Sequence, residues 1–85
     1  MIDAPAGWSS DGNAWVKTFD RKDFDGAVAF VNAIAAAANR LDHHPDIALA
    51  WNAVTIRTWS HDVGTITERD LRLADAIDDL AARPA

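Results

Sequence analysis

The first half of the chain changes from a strand-like pattern to a helical one. Residues 14–19 mix aromatic and β-branched side chains between turn-forming flanks, which is typical of a strand. Trp8, directly after Gly7, is placed to begin a partner strand. Asp23 is a favourable N-cap, and apolar residues recur beyond it at helical spacing. The spacing predicts a helix whose apolar face consists of Phe24, Val28, Val31, Ile34 or Ala35, Ala38 and Leu41.

A hairpin is predicted after this helix. Pro45 ends the helix, because the residue before a proline is disfavoured in the α region. Larger apolar residues then alternate with smaller or polar ones along residues 47–51 and again along residues 54–59. We therefore expect two strands joined by a turn at Asn52 and Ala53.

The last part of the chain carries the signals of a second helix. Thr67 and Asp70 are spaced as a capping box with Asp in place of Glu, and Ile66 and Leu71 are placed as a hydrophobic staple. The apolar residues that follow on one helical face are Leu73, Ile77 and Leu80. The predicted order is β-β-α-β-β-α. Its natural packing is an α+β fold in which the helices cover one face of an antiparallel four-stranded sheet.

Composition narrows the range of functions. Residues 1–85 are expected to form one domain, and a domain this short buries only about 60% of its unfolded surface, so self-association would stabilise it. The net charge of −5 argues against a nucleic-acid partner, because such binding depends on Lys and Arg. The absence of cysteine excludes disulfides, thiolate nucleophiles and Cys-based zinc sites. The weakly polar run 27–38 is too short to span a bilayer, and the amino terminus lacks signal-peptide features. We expect a cytoplasmic protein with no membrane partner.

The three histidines lie at predicted element junctions. His43 and His44 precede Pro45 at the end of the first helix, and His61 follows the second strand of the hairpin. These ends point to the same edge of the sheet, so we expect the three side chains to share one pocket. Imidazole exchanges protons near neutral pH, which suits it to catalysing an elimination without a cofactor. The alternative is that these are ordinary exposed loop residues.

A wider motif surrounds the histidines. Its parts are LDHHP at 41–45, an aromatic residue at Trp51, VTIR at 54–57, SHD at 60–62 and GTITERD at 64–70. His61 follows His43 by 18 positions, and Asp70 follows His61 by nine. In these residues and spacings the chain resembles the pterin-4a-carbinolamine dehydratases. The resemblance runs from about residue 8 to residue 82.

The resemblance implies an enzyme of tetrahydropterin recycling. Such an enzyme removes water from a 4a-hydroxytetrahydropterin and gives a quinonoid dihydropterin, with no metal or redox cofactor. The implied catalytic residues are His43, His44, His61 and Asp70, with Asp70 supporting the histidines. The candidates for pterin binding are Asp42, His43, His44, Pro45, Ser60, His61, Asp62, Val63 and Arg69. The family also forms dimers and tetramers, and the alanine-rich first helix is the expected contact between subunits.

Several of these residues have a structural alternative. Asp70 could serve only as a helix cap. Asp42 and Arg69 could form a surface ion pair, worth at most about 1 kcal/mol. Trp51 and Trp59 are interpreted as core or pocket-wall aromatics rather than specific stacking partners. A metal site is not expected, because the adjacent histidines are poorly placed to share one ion.

Three features depart from the family pattern. Only residues 1–6 precede Gly7, so the family's amino-terminal helix is expected to be missing. Asn39 stands where an acidic residue is common, which would weaken proton transfer, and Arg21 stands where an aromatic residue is usual. A catalytically idle interaction protein, assembly factor or coactivator with the same fold is the rival function. A small binding module whose histidines sense pH is a third. The retained histidines and Asp70 favour the enzyme.

Overall fold

The computed structural model describes residues 2–83 and contains one antiparallel sheet and two helices. The elements are β1 (Ser9–Asp11), β2 (Ala14–Asp20), α1 (Phe24–Leu41), β3 (Asp46–Ala50), β4 (Ala53–Thr58) and α2 (Glu68–Ala82). The strands lie in the order β1-β2-β4-β3. This arrangement confirms the predicted α+β class and the β-β-α-β-β-α order. Within residues 2–8, no helix precedes β1.

One face of the sheet carries the core. In β4 the buried residues Val54, Ile56 and Thr58 alternate with half-buried ones, as expected when helices cover a single face. Trp15 of β2 pairs with Thr58, and Phe19 pairs with Val54, so the two central strands present their large side chains together. Neither helix within the described residues has the length and hydropathy needed to cross a membrane.

Trp8 and Lys17 connect the sheet to α2 through one carboxylate. The indole Nε1 of Trp8 donates to Asp78 Oδ2 at 3.0 Å, and Lys17 Nζ lies 2.8 Å from Asp78 Oδ1. Trp8 itself is buried and lies just before β1, rather than beginning the strand as predicted. The two bonds fix how α2 lies across the sheet, which matters because α2 carries Asp70.

The core face of α1 agrees in part with the predicted one, since Ile34 and Ala38 are buried and Val31 and Leu41 pack against the core. The helix begins after Asp23, whose side chain accepts a hydrogen bond from the Gly26 N–H at 2.7 Å, as the N-cap prediction required. Phe24, however, is 50% exposed. Phe30 takes the main core position instead, because its ring packs edge-on against Phe19 with centroids 5.2 Å apart. The buried residues of the helix are Ala27, Phe30, Ile34, Ala37 and Ala38.

The turn of the β3–β4 hairpin lies one residue earlier than predicted. Ala50 pairs with Ala53, so the turn residues are Trp51 and Asn52. Two hydrogen bonds to Arg21 hold Asn52 in the turn. The Asn52 side chain donates to Arg21 O, and the Asn52 backbone carbonyl accepts from the Arg21 N–H. Trp51 has a positive φ of 51° and is 69% exposed. Its interpretation as a core or pocket-wall aromatic is therefore wrong.

The position of the core predicts the effect of a leucine truncation. Leu73→Ala should lower the free energy of unfolding by about 2–5 kcal/mol, because it leaves a cavity at a fully buried position of α2. Leu49→Ala removes the same atoms from an exposed position of β3 and should cost less than about 1 kcal/mol. Urea unfolding of both variants measures the difference, and equal losses would contradict this location of the core.

Candidate active site

The end of α1 places two of the histidines. Asp42 adopts the left-handed conformation, with φ 52° and ψ 44°, and reverses the chain. The N–H of His43 then bonds to Ala38 O at 3.0 Å, and the N–H of Asp42 bonds to Asn39 O, which is the Schellman pattern of helix termination. Asp is one of the few non-glycine residues that tolerate this conformation. The helix end thus holds the backbone of His43 and His44 in one orientation.

A short closed loop places the third histidine. Ser60 pairs with Thr65 after β4, and the Gly64 N–H bonds to Ser60 O at 2.8 Å. Gly64 has a φ of 70°, a conformation that disfavours other residues. Asn13, in the β1–β2 turn, donates to Gly64 O at 2.8 Å. His61 lies at the start of this loop and is exposed.

The three histidines lie around one open cavity of about 370 Å³. Its wall consists of Asp42, His43, His44, Trp59, His61, Asp62 and Arg69. The structure therefore brings together six of the predicted site residues, and Trp59 is part of the wall as interpreted. Pro45, Ser60 and Val63 lie outside this wall, although they were predicted to contact the pterin. Asp70 also lies behind it and reaches the cavity only through His43.

The carboxylate of Asp70 is fully buried and accepts four hydrogen bonds. Its Oδ1 lies 2.6 Å from His43 Nε2 and accepts the Thr58 hydroxyl, also at 2.6 Å. Its Oδ2 accepts the Ser60 hydroxyl at 2.8 Å and the backbone N–H of Thr67 at 2.9 Å. The bond to Thr67 belongs to the capping box, which confirms that prediction. Asp70 is thus both the helix cap and the partner of His43.

These bonds decide the charge of Asp70. Burial acts to raise the pKa of Asp70, but the hydrogen bonds from Thr58, His43, Thr67 and Ser60 outweigh it and hold the pKa below its ordinary value. An ionised carboxylate is only an acceptor, so His43 Nε2 carries the hydrogen of the shared bond.

The second nitrogen of His43 is available for chemistry. Within residues 2–83, His43 Nδ1 makes no hydrogen bond, and no buried side-chain nitrogen or oxygen there lacks a partner. Because Nδ1 has no partner, it is not one of the buried atoms and must be open to solvent. A proton entering or leaving the His43 ring passes through this atom while Asp70 keeps its bond to Nε2.

His44 and His61 are held differently from His43. His44 Nε2 lies 2.9 Å from Asn39 Oδ1, one turn back on α1. His61 makes no hydrogen bond through its ring within the described part of the chain, but its ring lies against Trp59 with centroids 4.2 Å apart. Each histidine of the cavity thus has a different neighbour: a carboxylate, an amide and an indole.

The ion pair at the rim of the cavity differs from the predicted one. Arg69 pairs with Asp62, at 2.7 Å between Nη2 and Oδ1, rather than with Asp42. Asp62 follows His61 in the loop that folds back over the start of α2, whereas Asp42 is used to reverse the chain. The hydrogen bond from Arg69 lowers the pKa of Asp62, and the same bond raises the pKa of Arg69. The side chains of Arg69 and Asp62 are 40% and 64% exposed, so the pair orders the rim and adds little stability.

Sequence reasoning missed two supporting residues. Thr58 occupies an inward-facing position of β4 and supplies one of the bonds to Asp70, and a polar residue at an inward position was the available signal. Asn39 was noted only as a departure from the family, yet its amide is the partner of His44. Within residues 2–83, no group of three His, Cys, Asp or Glu side chains is placed to hold a metal ion.

Comparison with known proteins identifies the family. The sequence profile described as “Pterin 4 alpha carbinolamine dehydratase” matches residues 1–80. A relative from Thermosynechococcus vestitus, provisionally named a pterin-4-alpha-carbinolamine dehydratase, is 45% identical over 75 residues, or 88% of this chain and 79% of the relative. A relative from Thermomicrobium roseum with the same provisional name is 43% identical over 76 residues, or 89% of this chain and 82% of the relative.

Two solved structures have a similar fold. The crystal structure of a transcriptional coactivator/pterin dehydratase from Brucella melitensis superimposes with a TM-score of 0.86 at 34% identity. The matched region spans 91% of this chain and 84% of the Brucella chain. A pterin dehydratase-like protein described as a RuBisCO assembly factor in the alpha-carboxysome has a TM-score of 0.73 at 22% identity, over 91% of this chain and 89% of its own, which shows a shared fold. Since the profile matches nearly the whole chain and relatives exceed 40% identity, the protein belongs to the pterin-4a-carbinolamine dehydratase family.

Proposed function

We propose that this protein is a dehydratase that removes water from a 4a-hydroxytetrahydropterin and returns a quinonoid dihydropterin to tetrahydropterin recycling. The observation that carries the proposal is the cavity lined by His43, His44 and His61, with the buried Asp70 carboxylate bonded to one of them. Family membership supports the same reaction. An interaction protein has no need for a buried carboxylate that orients an imidazole toward a cavity.

The proposed step is an elimination by general acid and general base catalysis. A protonated imidazole gives its proton to the 4a-hydroxyl, the C4a–O bond breaks, and water leaves. A neutral imidazole takes the proton from a ring nitrogen of the pterin, whose electrons form the new double bond. No electrons are gained or lost overall, so the step needs no redox cofactor, and the two imidazoles supply both proton transfers. Positioned acids and bases of this kind contribute about 10²–10⁴-fold each.

The hydrogen bond to Asp70 allows His43 to act either as the general base or as the general acid of this step. In the neutral ring the hydrogen stays on Nε2, so the lone pair is on the open Nδ1, which can accept a proton. In the protonated ring the same carboxylate stabilises the positive charge, and Nδ1–H can donate. In both cases the carboxylate fixes the ring, and the exchange takes place on the side away from Asp70.

The remaining wall residues are proposed to hold the pterin. Asp42, Asp62 and Arg69 offer acceptors and donors at the rim, which suit the polar edge of a pterin ring. Ser60 acts through its bond to Asp70. The assembly-factor function of the structural relative remains the rival, and the following assay separates the two, because an idle interaction protein does not dehydrate a pterin.

His61→Ala tests the catalytic proposal. The purified wild-type protein should accelerate dehydration of a 4a-hydroxytetrahydropterin, and the variant should be slower by about 10²-fold or more, as expected for the loss of a positioned acid or base. Stopped-flow absorbance measures the rate, and circular dichroism shows whether the fold survives. Wild-type protein with no activity would refute the enzyme, whereas a folded variant with full turnover would remove His61 from the step.

Asp70→Asn tests the role of the buried carboxylate in stability. An amide cannot accept from all four donors, so the free energy of unfolding should fall by about 2 kcal/mol or more at neutral pH. Asp75→Asn makes the same change on the exposed side of α2 and should leave stability nearly unchanged. Similar losses in both variants would mean that the four bonds do not stabilise the fold.

The same pair of proteins tests the ionisation of Asp70. Its folded-state pKa lies below its unfolded value, so the carboxylate contributes stability above the ordinary Asp pKa of about 3.9 and loses that contribution as the pH falls through the folded-state pKa. The stability difference between wild type and Asp70→Asn should therefore shrink as the pH is lowered below about 4. A difference that stays constant over this range would indicate a neutral Asp70.

We further propose that the protein is a homodimer or homotetramer whose contacts use α1. Ala29 and Ala36 are exposed on α1 and the half-buried Ala33 lies between them at helical spacing, so small side chains there allow another helix to approach closely. A chain of 85 residues also gains buried surface by association.

Replacing one alanine of this stripe by glutamate tests the contact. Ala36→Glu should dissociate the oligomer, because it places a charge where the helices meet. Ala35→Glu is the matched control, since Ala35 is also exposed on α1 but lies 100° further round the helix. Light scattering at micromolar concentration measures the mass. A monomeric wild type, or an oligomer that both variants leave intact, would contradict this interface.

A further inference from the structure

The three histidines of the cavity differ in what fixes their rings. His43 and His44 each have a hydrogen-bond partner, Asp70 at 2.6 Å and Asn39 at 2.9 Å. The ring of His61 has none within residues 2–83 and lies at the exposed start of a loop. An exposed side chain without a bond samples several rotamers, and a proton-transfer group that does so is correctly placed for only part of the time.

An aromatic contact takes the place of the missing bond. The rings of Trp59 and His61 have centroids 4.2 Å apart and planes inclined by 51°. The two residues are separated by one position, so both project from the same face of the chain as it leaves β4. Trp59 is also half-buried, whereas His61 is exposed, so the indole is the fixed member of the pair.

Trp59 is itself held from the other side. The guanidinium of Arg57 lies over the indole, 5.5 Å from the ring centroid, within the usual range of a cation–π contact. Arg57 in turn forms an ion pair with Asp11 of β1. A continuous row of contacts therefore runs along the open face of the sheet from β1 to the cavity. It connects Asp11, Arg57, Trp59 and His61.

We propose that Trp59 is a positioning residue that holds the His61 imidazole in the orientation needed for proton transfer. This inference rests on the proposed dehydratase function. It gives Trp59 a role through His61, and not through the substrate, although its side chain lines the same cavity. The side chains on the face of the sheet opposite the core would then hold His61 in place through their contacts with Trp59.

The effect on His61 can be measured without any activity. In Trp59→Ala, the ring C–H resonances of His61 should shift toward those of a free, rotating histidine because the indole ring current is lost. The resonances of His43 and His44 should stay in place. Trp51→Ala is the matched control, because Trp51 lies exposed at the far end of the hairpin and should leave all three histidines unchanged. Unchanged His61 resonances in Trp59→Ala would overturn the proposed contact.

The kinetic consequence separates positioning from direct binding. Trp59→Ala should lower kcat by about 10-fold with little change in KM, since a small misplacement of a reacting group is costly. Trp59→Phe keeps an aromatic face and should restore most of the rate, while Trp51→Ala should behave as wild type. In a His61→Ala background, Trp59→Ala should have almost no further effect, because groups that act as a unit are not additive.

Besides unchanged His61 resonances, two kinetic results would overturn the proposal. One is a Trp59→Ala protein with unchanged kcat, beside a wild type that is active. The other is a rise in KM that persists in the His61→Ala background, which would show that the indole contacts the pterin directly. A wild type without dehydratase activity would instead refute the proposed function, while the resonance measurement would still report on the ring contact.

Discussion

The buried carboxylate of Asp70 is the interaction on which the rest of the site depends. A charge removed from water is stable in a protein only when its acceptor positions are filled, and here four donors fill them. The donors come from four places: the end of β4, the loop after it, the N-cap of α2 and the segment that follows α1. One side chain therefore fixes how the two helices and the central strand meet at the edge of the sheet.

This arrangement couples the stability of α2 to the orientation of the His43 ring. The capping box that starts α2 uses the same carboxylate that fixes the His43 ring, so a change that weakens the helix start also releases the imidazole. The opposite side of the cavity is built more loosely, with His61 on an exposed loop beside an indole. The site thus combines one wall made by a buried hydrogen-bond network with another that depends on contacts between exposed side chains.

Much of this could be predicted from the sequence. Capping residues and hydrophobic periodicity act locally, so the six elements, the Asp23 cap and the Thr67–Asp70 box were predicted correctly. The predictions that were wrong concern positions where contacts between distant parts of the chain determine the structure. The hairpin turn lies at Trp51 and Asn52 because the Asn52 side chain bonds to Arg21 O at the end of β2. The periodicity of the sequence does not reveal this contact.

The errors at the helices and the site have the same origin. On α1, Ile34 and Ala38 were predicted correctly as core residues, but Phe30 takes the place expected for Phe24 because its ring packs on Phe19 of β2. Arg69 forms its ion pair with Asp62 and not with Asp42, because Asp42 adopts the left-handed conformation that ends α1. Thr58 joined the Asp70 network because strand pairing turns it inward, and its role follows only once the sheet register is known. Sequence patterns thus predicted which residues are chemically able to act, and three-dimensional packing decided which of them meet.

If the three histidines form a single pterin site, as we propose, a ligand titration should perturb all of them at once. A stable dihydropterin would be added to the wild-type protein while the ring C–H resonances of all three histidines are followed by NMR. We expect the resonances of His43, His44 and His61 to move together and to saturate on one binding curve. Binding that leaves these resonances unperturbed, or no binding at millimolar pterin, would contradict it.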